Sequence, residues 1–266
     1  MIGFIGLGQL GLPIASNLLE RGHLLRIYNR TASKVDPLLT RGAERAERPI
    51  DAVTPGGIVV SLLWDDASVQ SIVTSEGFLD RLGPGGVHLS MSSISPEGAR
   101  RLAALHAAKG SVYLDAPVFG RPEAAAARKL WIPIAGDRAA QARVKPLLEA
   151  MGAQGVFDFG PDVGAATVVK LVGNFLIGAA ARSLGEGVML AESQGVDPHA
   201  IVHMLTTTLF PAPIYQSYGK MIADKTVPFG PGAILKKDLG NLHALASATG
   251  TSMPIADRLY EIFTRA

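Results

Sequence analysis

Lys170 and Asn174 stand four residues apart in a run that is otherwise small and apolar: Ala165, Ala166, Val168, Val169, Leu171, Val172 and Gly173. A helix brings residues i and i+4 to one face, so the amine and the amide point the same way. Burying a lysine among such side chains is costly unless it has a partner or a task. A desolvated amine gives up its proton more readily, which suits it to proton exchange near neutral pH. Beside a carbonyl carbon that receives hydride, it would protonate the oxygen; in reverse it would take the hydroxyl proton. Asn174 would bond the same oxygen or hold the lysine. The equally open alternative is a lysine whose stem lies along a core helix while its head reaches water.

A source of hydride is suggested at the start of the chain. The apolar run Ile2 to Ile5 leads into Gly6-Leu7-Gly8-Gln9-Leu10-Gly11, and a helix-like segment follows from Leu12 to Arg21. Strand, glycine turn and helix start, in that order, make a dinucleotide-binding element. Gly6 permits a tight turn, Gly8 a close approach to a pyrophosphate, and Gly11 close packing of helix on strand. The free N–H groups and positive end of the helix would receive the phosphates. A second apolar segment, Leu24 to Tyr28, ends at Asn29-Arg30-Thr31, where such a fold meets the adenosine ribose. A site selective for NAD places an acid there, and this chain has none. A guanidinium fork with small polar donors suits a 2′-phosphate, so NADP is expected in preference to NAD. Alternatively Arg30 is a solvated loop residue.

The elements that must position these groups form two regions. Short β-rich runs alternate with helical stretches through the first half: Gly3–Ile5, Leu25–Tyr28, Ile58–Leu62, Val87–Ser90 and Val112–Asp115. Ser95 and Pro96 open the helical stretch to Lys109 as cap and first-turn proline. The alternation predicts a parallel sheet with helices on both faces, with Leu130–Ala135 and Val156–Phe159 as further strands at its far edge. After Gly160-Pro161-Asp162 the reading is all helical: Val163 to Gln194, Pro198 to Leu205, Lys236 to Thr249, and Pro254 to Arg265. Domains are therefore expected at residues 1–160 and 161–266.

Composition narrows the classes. With 48% hydrophobic and 18% charged residues the chain is globular, and a net charge of +2 is too small to argue for nucleic acid or an anionic membrane, so neither is expected as a partner. The absence of cysteine excludes disulfides and thiolate chemistry. No signal peptide is visible, and a cytoplasmic protein is expected. The apolar segment Leu171 to Ala181 reads as a buried core helix, too short and too interrupted by Lys170, Asn174 and Arg182 for a membrane span. His199 and His203 have metal-ligand spacing but no third ligand, so a surface pair is expected and no metal. Asp65 and Asp66 read as a helix cap. Phe210 to Tyr215 reads as a break between helices that lines a cleft, meets a subunit or packs as a rigid loop. The surplus of apolar helix in the second region points to a homodimer or higher homo-oligomer.

GFIGLGQLGLPIASNL, YNRTASK, MSSISPE, DAPVFG, GAATVVKLVGN and PFGPGAILKKDL follow one another in that order. In this ordered set, which runs over nearly the whole chain, the sequence resembles the β-hydroxyacid dehydrogenase family, which includes 3-hydroxyisobutyrate dehydrogenase and glyoxylate or succinic semialdehyde reductases. The resemblance implies an α/β Rossmann-like N-terminal domain and an all-α C-terminal domain, joined by a long interdomain helix, with a small carbonyl or hydroxy-acid substrate between them. It implies that Lys170 is the catalytic acid/base and Asn174 its companion. Ser92 and Ser93 would stand in for a Ser-Thr pair near the substrate and the nicotinamide. Leu62 and Leu63 would pack by the adenosine or ribose, and Lys237 would reach the cofactor; the plain alternative for Lys236 and Lys237 is a solvated helix face.

One stretch departs from the family pattern. A Ser-Gly-Gly that binds the substrate carboxylate is replaced by Phe119-Gly120-Arg121, followed by Pro122. Phe119 removes a hydroxyl and adds a ring, while Pro122 has no N–H. Either Arg121 clamps a carboxylate with two parallel bonds, or it is solvated and the pocket takes a more apolar carbonyl. The expected activity is NADP-dependent interconversion of a small aldehyde or keto acid with its hydroxy acid. An imine reductase, which generally lacks the lysine, and a non-catalytic dinucleotide-binding module are the alternatives.

Overall fold

The computed structural model describes residues 1–226 and 232–265; Pro228-Phe229-Gly230-Pro231 of the last family-like motif lies outside them. Two compact units divide at Lys170/Leu171, inside a helix and ten residues beyond the change of composition at residue 160. The extra residues belong with the first unit because Asp115 of that unit binds Thr167.

The first unit is Rossmann-like. Its strands are β1 (Ile2–Ile5), β2 (Leu25–Tyr28), β3 (Glu44–Arg45), β4 (Ile58–Ser61), β5 (Val87–Ser90) and β6 (Val112–Asp115), in the order β3-β2-β1-β4-β5-β6. Every pairing is parallel. Helices α1 (Gly11–Glu20), α2 (Asp36–Leu39), α3 (Asp66–Val73), α4 (Phe78–Leu82), α5 (Pro96–Ala107), α6 (Pro122–Ala126) and α7 (Arg138–Met151) surround it. Because side chains alternate along a strand, Phe4 and Val60 face one core while Ile5 and Val59 face the other. Ile14 and Leu18 of α1 with Val144 and Leu148 of α7 fill the first core. Val69, Val73, Phe78, Leu82 and Leu102 fill the second. Each such buried side chain contributes about 1.5–3 kcal/mol, which holds the strand ends still.

The two late strands, β7 (Leu130–Ile134) and β8 (Ala153–Asp158), do not extend this sheet as expected. They pair with each other in a separate parallel sheet. The chain turns back after β6, so Ala135 bridges Asp115 and Trp131 bridges Phe119 in the antiparallel sense. The edge strand β3, only two exposed charged residues, left no apolar run to read.

Helix α8 (Ala165–Ser193) begins in the first unit and continues into the second, which also holds α9 (Pro198–Thr207), α10 (Pro213–Ala223), α11 (Ala233–Thr249) and α12 (Pro254–Arg265). One core of this unit gathers Leu171, Leu239, Leu242, Leu259 and Phe263, and another Leu184, Val188 and Val202. Pro213 opens α10, so Ile214 and Tyr215 are helical rather than loop, and the Phe210 and Tyr215 rings lie 5.1 Å apart. At 29 residues, α8 outruns the segment read as too short to cross a membrane. By length and composition alone it is long and apolar enough, and 33% of its most apolar window is buried, less than a core helix would show.

Candidate active site

The turn after β1 is shaped by close approach. Gly6 has φ +102°, and a Cβ there would collide with the Leu62 carbonyl oxygen. A Cβ on Gly11 would collide with the Gly6 carbonyl oxygen, so only glycine lets α1 start against the strand end. At Gly8 the situation reverses: a Cβ would meet nothing within 4 Å. Leu7 is buried, Leu10 half-buried and Gln9 exposed. No side chain caps α1, and its first turn carries no acid, which leaves N–H groups and a positive dipole end for an anion. The chain order reverses between β1 and β4, and ligands of open α/β sheets bind at the carboxyl ends of strands at such a point. Leu62 and Leu63, both half-buried, follow β4 there. Open space at Gly8, an uncapped helix start and this switch point fit a dinucleotide diphosphate.

Asn29 is bonded on both sides of its amide. Its Oδ1 accepts the Leu7 N–H at 2.8 Å, and its Nδ2 donates to the Thr31 carbonyl at 2.9 Å. The side chain ties the end of β2 to the glycine turn. Arg30 and Thr31 are exposed, and Arg30 has no ion-pair partner among the described residues.

The segment after β5 is braced by bonds to the loop and helix that follow β4. The buried Ser92 Oγ accepts the Leu63 N–H at 2.8 Å, and Ser93 is half-buried. The Asp66 carboxylate takes the N–H and the hydroxyl of Ser95 at 2.9 and 2.5 Å. Asp65 is the helix cap expected, accepting the Ser68 N–H at 2.8 Å. Beneath, Ser61, His88 and His106 form a buried chain: Nδ1 of His106 lies 2.7 Å from the Leu102 carbonyl, its Nε2 3.1 Å from His88 Nδ1, and His88 Nε2 2.8 Å from Ser61 Oγ. The carbonyl can only accept, so each neutral ring donates from Nδ1 and Ser61 donates to His88. Burial lowers His106 to about 4 and pushes His88 well below the ordinary imidazole value.

Lys170 is buried on α8, 8% exposed, with its Nζ 4.3 Å from the centre of the Phe119 ring. Phe119 is half-buried; its N–H and carbonyl exchange bonds with Trp131 at 2.8 and 3.0 Å. Gly120 has φ +141°. Arg121 is exposed and pairs with Glu123 at 3.6 Å. Asp115, fully buried at the end of β6, accepts the Thr167 N–H and hydroxyl, each at 2.8 Å, and so fixes the first turn of α8. Burial raises its carboxyl to about 6 against those bonds.

One helical turn past Lys170, the buried Asn174 donates from Nδ2 to Asp238 Oδ2 at 2.5 Å. Lys237 pairs with Asp238 Oδ1 at 3.0 Å. Asp238, 1% exposed, therefore holds both the amide and the lysine; it was read only as a neighbour of Lys237, while Lys236 is exposed.

Known proteins resemble this chain over nearly its whole length. Residues 1–168 match the NAD binding domain of 6-phosphogluconate dehydrogenase, and residues 164–266 match the NAD-binding domain of NADP-dependent 3-hydroxyisobutyrate dehydrogenase. An uncharacterized oxidoreductase, YfjR, of Bacillus subtilis is 39% identical over 96% of this chain and 90% of its own. The NAD-dependent L-serine dehydrogenase of Pseudomonas aeruginosa is 31% identical over 98% of this chain and 90% of its own. The structure of Mycobacterium tuberculosis 3-hydroxyisobutyrate dehydrogenase with L-serine superposes with a TM-score of 0.84 at 27% identity, covering 99% of this chain and 92% of that one. The chain belongs to the β-hydroxyacid dehydrogenase family and is an NAD(P)-dependent oxidoreductase acting on CH–OH groups.

Proposed function

We propose that the enzyme interconverts a small aldehyde or keto acid and the corresponding hydroxy acid, with NADP in preference to NAD and Lys170 as general acid/base. The observation that carries this reading is the burial of the Lys170 amine on a helix whose first turn is fixed by Asp115. A bound nicotinamide supplies or accepts the hydride. Lys170 delivers a proton from Nζ to the carbonyl oxygen, or takes it from the hydroxyl. Asn174, oriented by Asp238, bonds the same oxygen or steadies the amine. The glycine turn and the first turn of α1 hold the diphosphate, with Leu62 and Leu63 against the adenosine or ribose. Arg30 takes the 2′-phosphate, Ser93 and Lys237 reach the cofactor, and Ser92 stands near the substrate.

The test is Lys170→Ala. NADPH affinity should stay near that of the wild type, while turnover falls about 10²- to 10⁴-fold on every carbonyl, the range of a lost general acid. Turnover within tenfold of wild type would remove Lys170 from the chemistry.

A further inference from the structure

The Phe119 ring lies on the reactive amine, and its placement is enforced by backbone. Both polar backbone atoms of Phe119 are bound to Trp131, so this residue offers only its ring face at Lys170 Nζ, 4.3 Å away. The next residue, Gly120, has no side chain, and Arg121 is exposed beside Glu123. Pro122 cannot donate an N–H. A carboxylate attached directly to the reacting carbonyl would lie against that ring and give up water without gaining a donor from it, a cost that an alkyl or aryl group does not carry.

We infer that Phe119 is a specificity-determining residue that selects carbonyls flanked by an apolar group over carbonyls flanked by a carboxylate. The inference rests on Lys170 acting at the carbonyl, and it narrows the proposed substrates to aldehydes or ketones whose adjacent carbon chain is apolar. Any acid group on the substrate lies further along that chain. Phe119 packs against the substituent and against the amine; it takes no part in proton transfer.

Butanal and 2-oxobutyrate share four carbons and differ in what flanks the carbonyl. With NADPH, the wild type should reduce butanal with kcat/KM at least tenfold above 2-oxobutyrate. Phe119→Ser should narrow or invert that ratio by about ten- to a hundredfold, the scale at which a pocket discriminates by apolar contact. A second readout needs no turnover: in thermal unfolding with NADP present, the inert analogue butyramide should protect the wild type more than oxamate, and the variant should lose that difference. NADPH binding confirms that the variant is folded. A wild-type preference for 2-oxobutyrate, or an unchanged ratio in a folded variant, overturns the inference and leaves the Lys170 reading intact. Absence of turnover with both carbonyls overturns that reading, and this inference with it.

Discussion

At the scale of single residues, cofactor choice turns on Arg30. It is exposed at the end of β2, the place where an acid would bond a ribose 2′-hydroxyl. Hydrogen bonds to charged groups contribute about 1.5–3 kcal/mol each. Arg30→Asp should therefore lower kcat/KM for NADPH by at least tenfold and raise the NADH/NADPH ratio; steady-state kinetics with both cofactors measure it, and an unchanged ratio excludes the role. Gly6 and Gly11 were legible because the close approach at each is made by a backbone carbonyl, and only glycine satisfies it. The partners of Asn29 were not legible, for the converse reason. An amide can serve a phosphate or a backbone equally well, and only the fold shows its bonds to Leu7 and Thr31. Asp238 was hidden by distance: its bond to Asn174 joins residues 64 positions apart, which no local spacing reveals.

Among the elements, the strands that carry the site were legible and those that merely finish the sheet were not. Strands β2, β5 and β6 each carry buried apolar residues (Leu25 and Ile27, Val87 and Leu89, Tyr113 and Leu114) within a short run, and their bounds match the runs read in the sequence. β7 and β8 look the same in sequence, but an antiparallel return after Asp115 diverts them into their own sheet. Asp115 thus ends one strand, starts that return and anchors α8, and its titration reports on the arrangement. Its folded value near 6 exceeds the unfolded carboxyl value of about 3.9. The folded protein therefore takes up this proton first, and stability gained below pH 4 is lost as pH rises through 6. His106 acts oppositely. An unfolded imidazole charges below about 6.5, whereas the folded one stays neutral to about 4, so stability falls as pH drops across that window. Each contribution is about 3 kcal/mol at its full extent, and over pH 4–6 they offset one another. In Asp115→Asn the histidine effect is no longer offset by this carboxyl. Urea unfolding should show a variant that loses stability more steeply than wild type between pH 6 and 4. Parallel curves would mean that the carboxyl does not titrate there.

For the molecule as a whole, the second unit raises a question that its own cores do not answer. Val172, Leu176, Met189 and Leu190 on α8 are 39%, 57%, 44% and 68% exposed, and Ile234 and Ile255 are 50% and 66% exposed. Scattered apolar residues are ordinary on a surface, but Val172 and Leu176 share a helix face four residues apart, and contiguous apolar area marks an interface. The same helix has the length and composition of a membrane span, so two environments compete to cover it. Its sequence weighs against lipid: Lys170, Asn174, Arg182 and Glu186 would have to enter hydrocarbon, at about 2.5–3.5 kcal/mol for each charge near the centre, whereas a second copy of the chain would cover the apolar face without moving those groups into lipid. Light scattering after gel filtration should therefore give a homodimer or a larger closed assembly at micromolar concentration. Leu176→Glu with Leu190→Glu should shift it towards monomer and lower its melting temperature. A wild-type monomer would exclude self-association, and sedimentation of wild type with neutral lipid vesicles would assign the face to lipid instead.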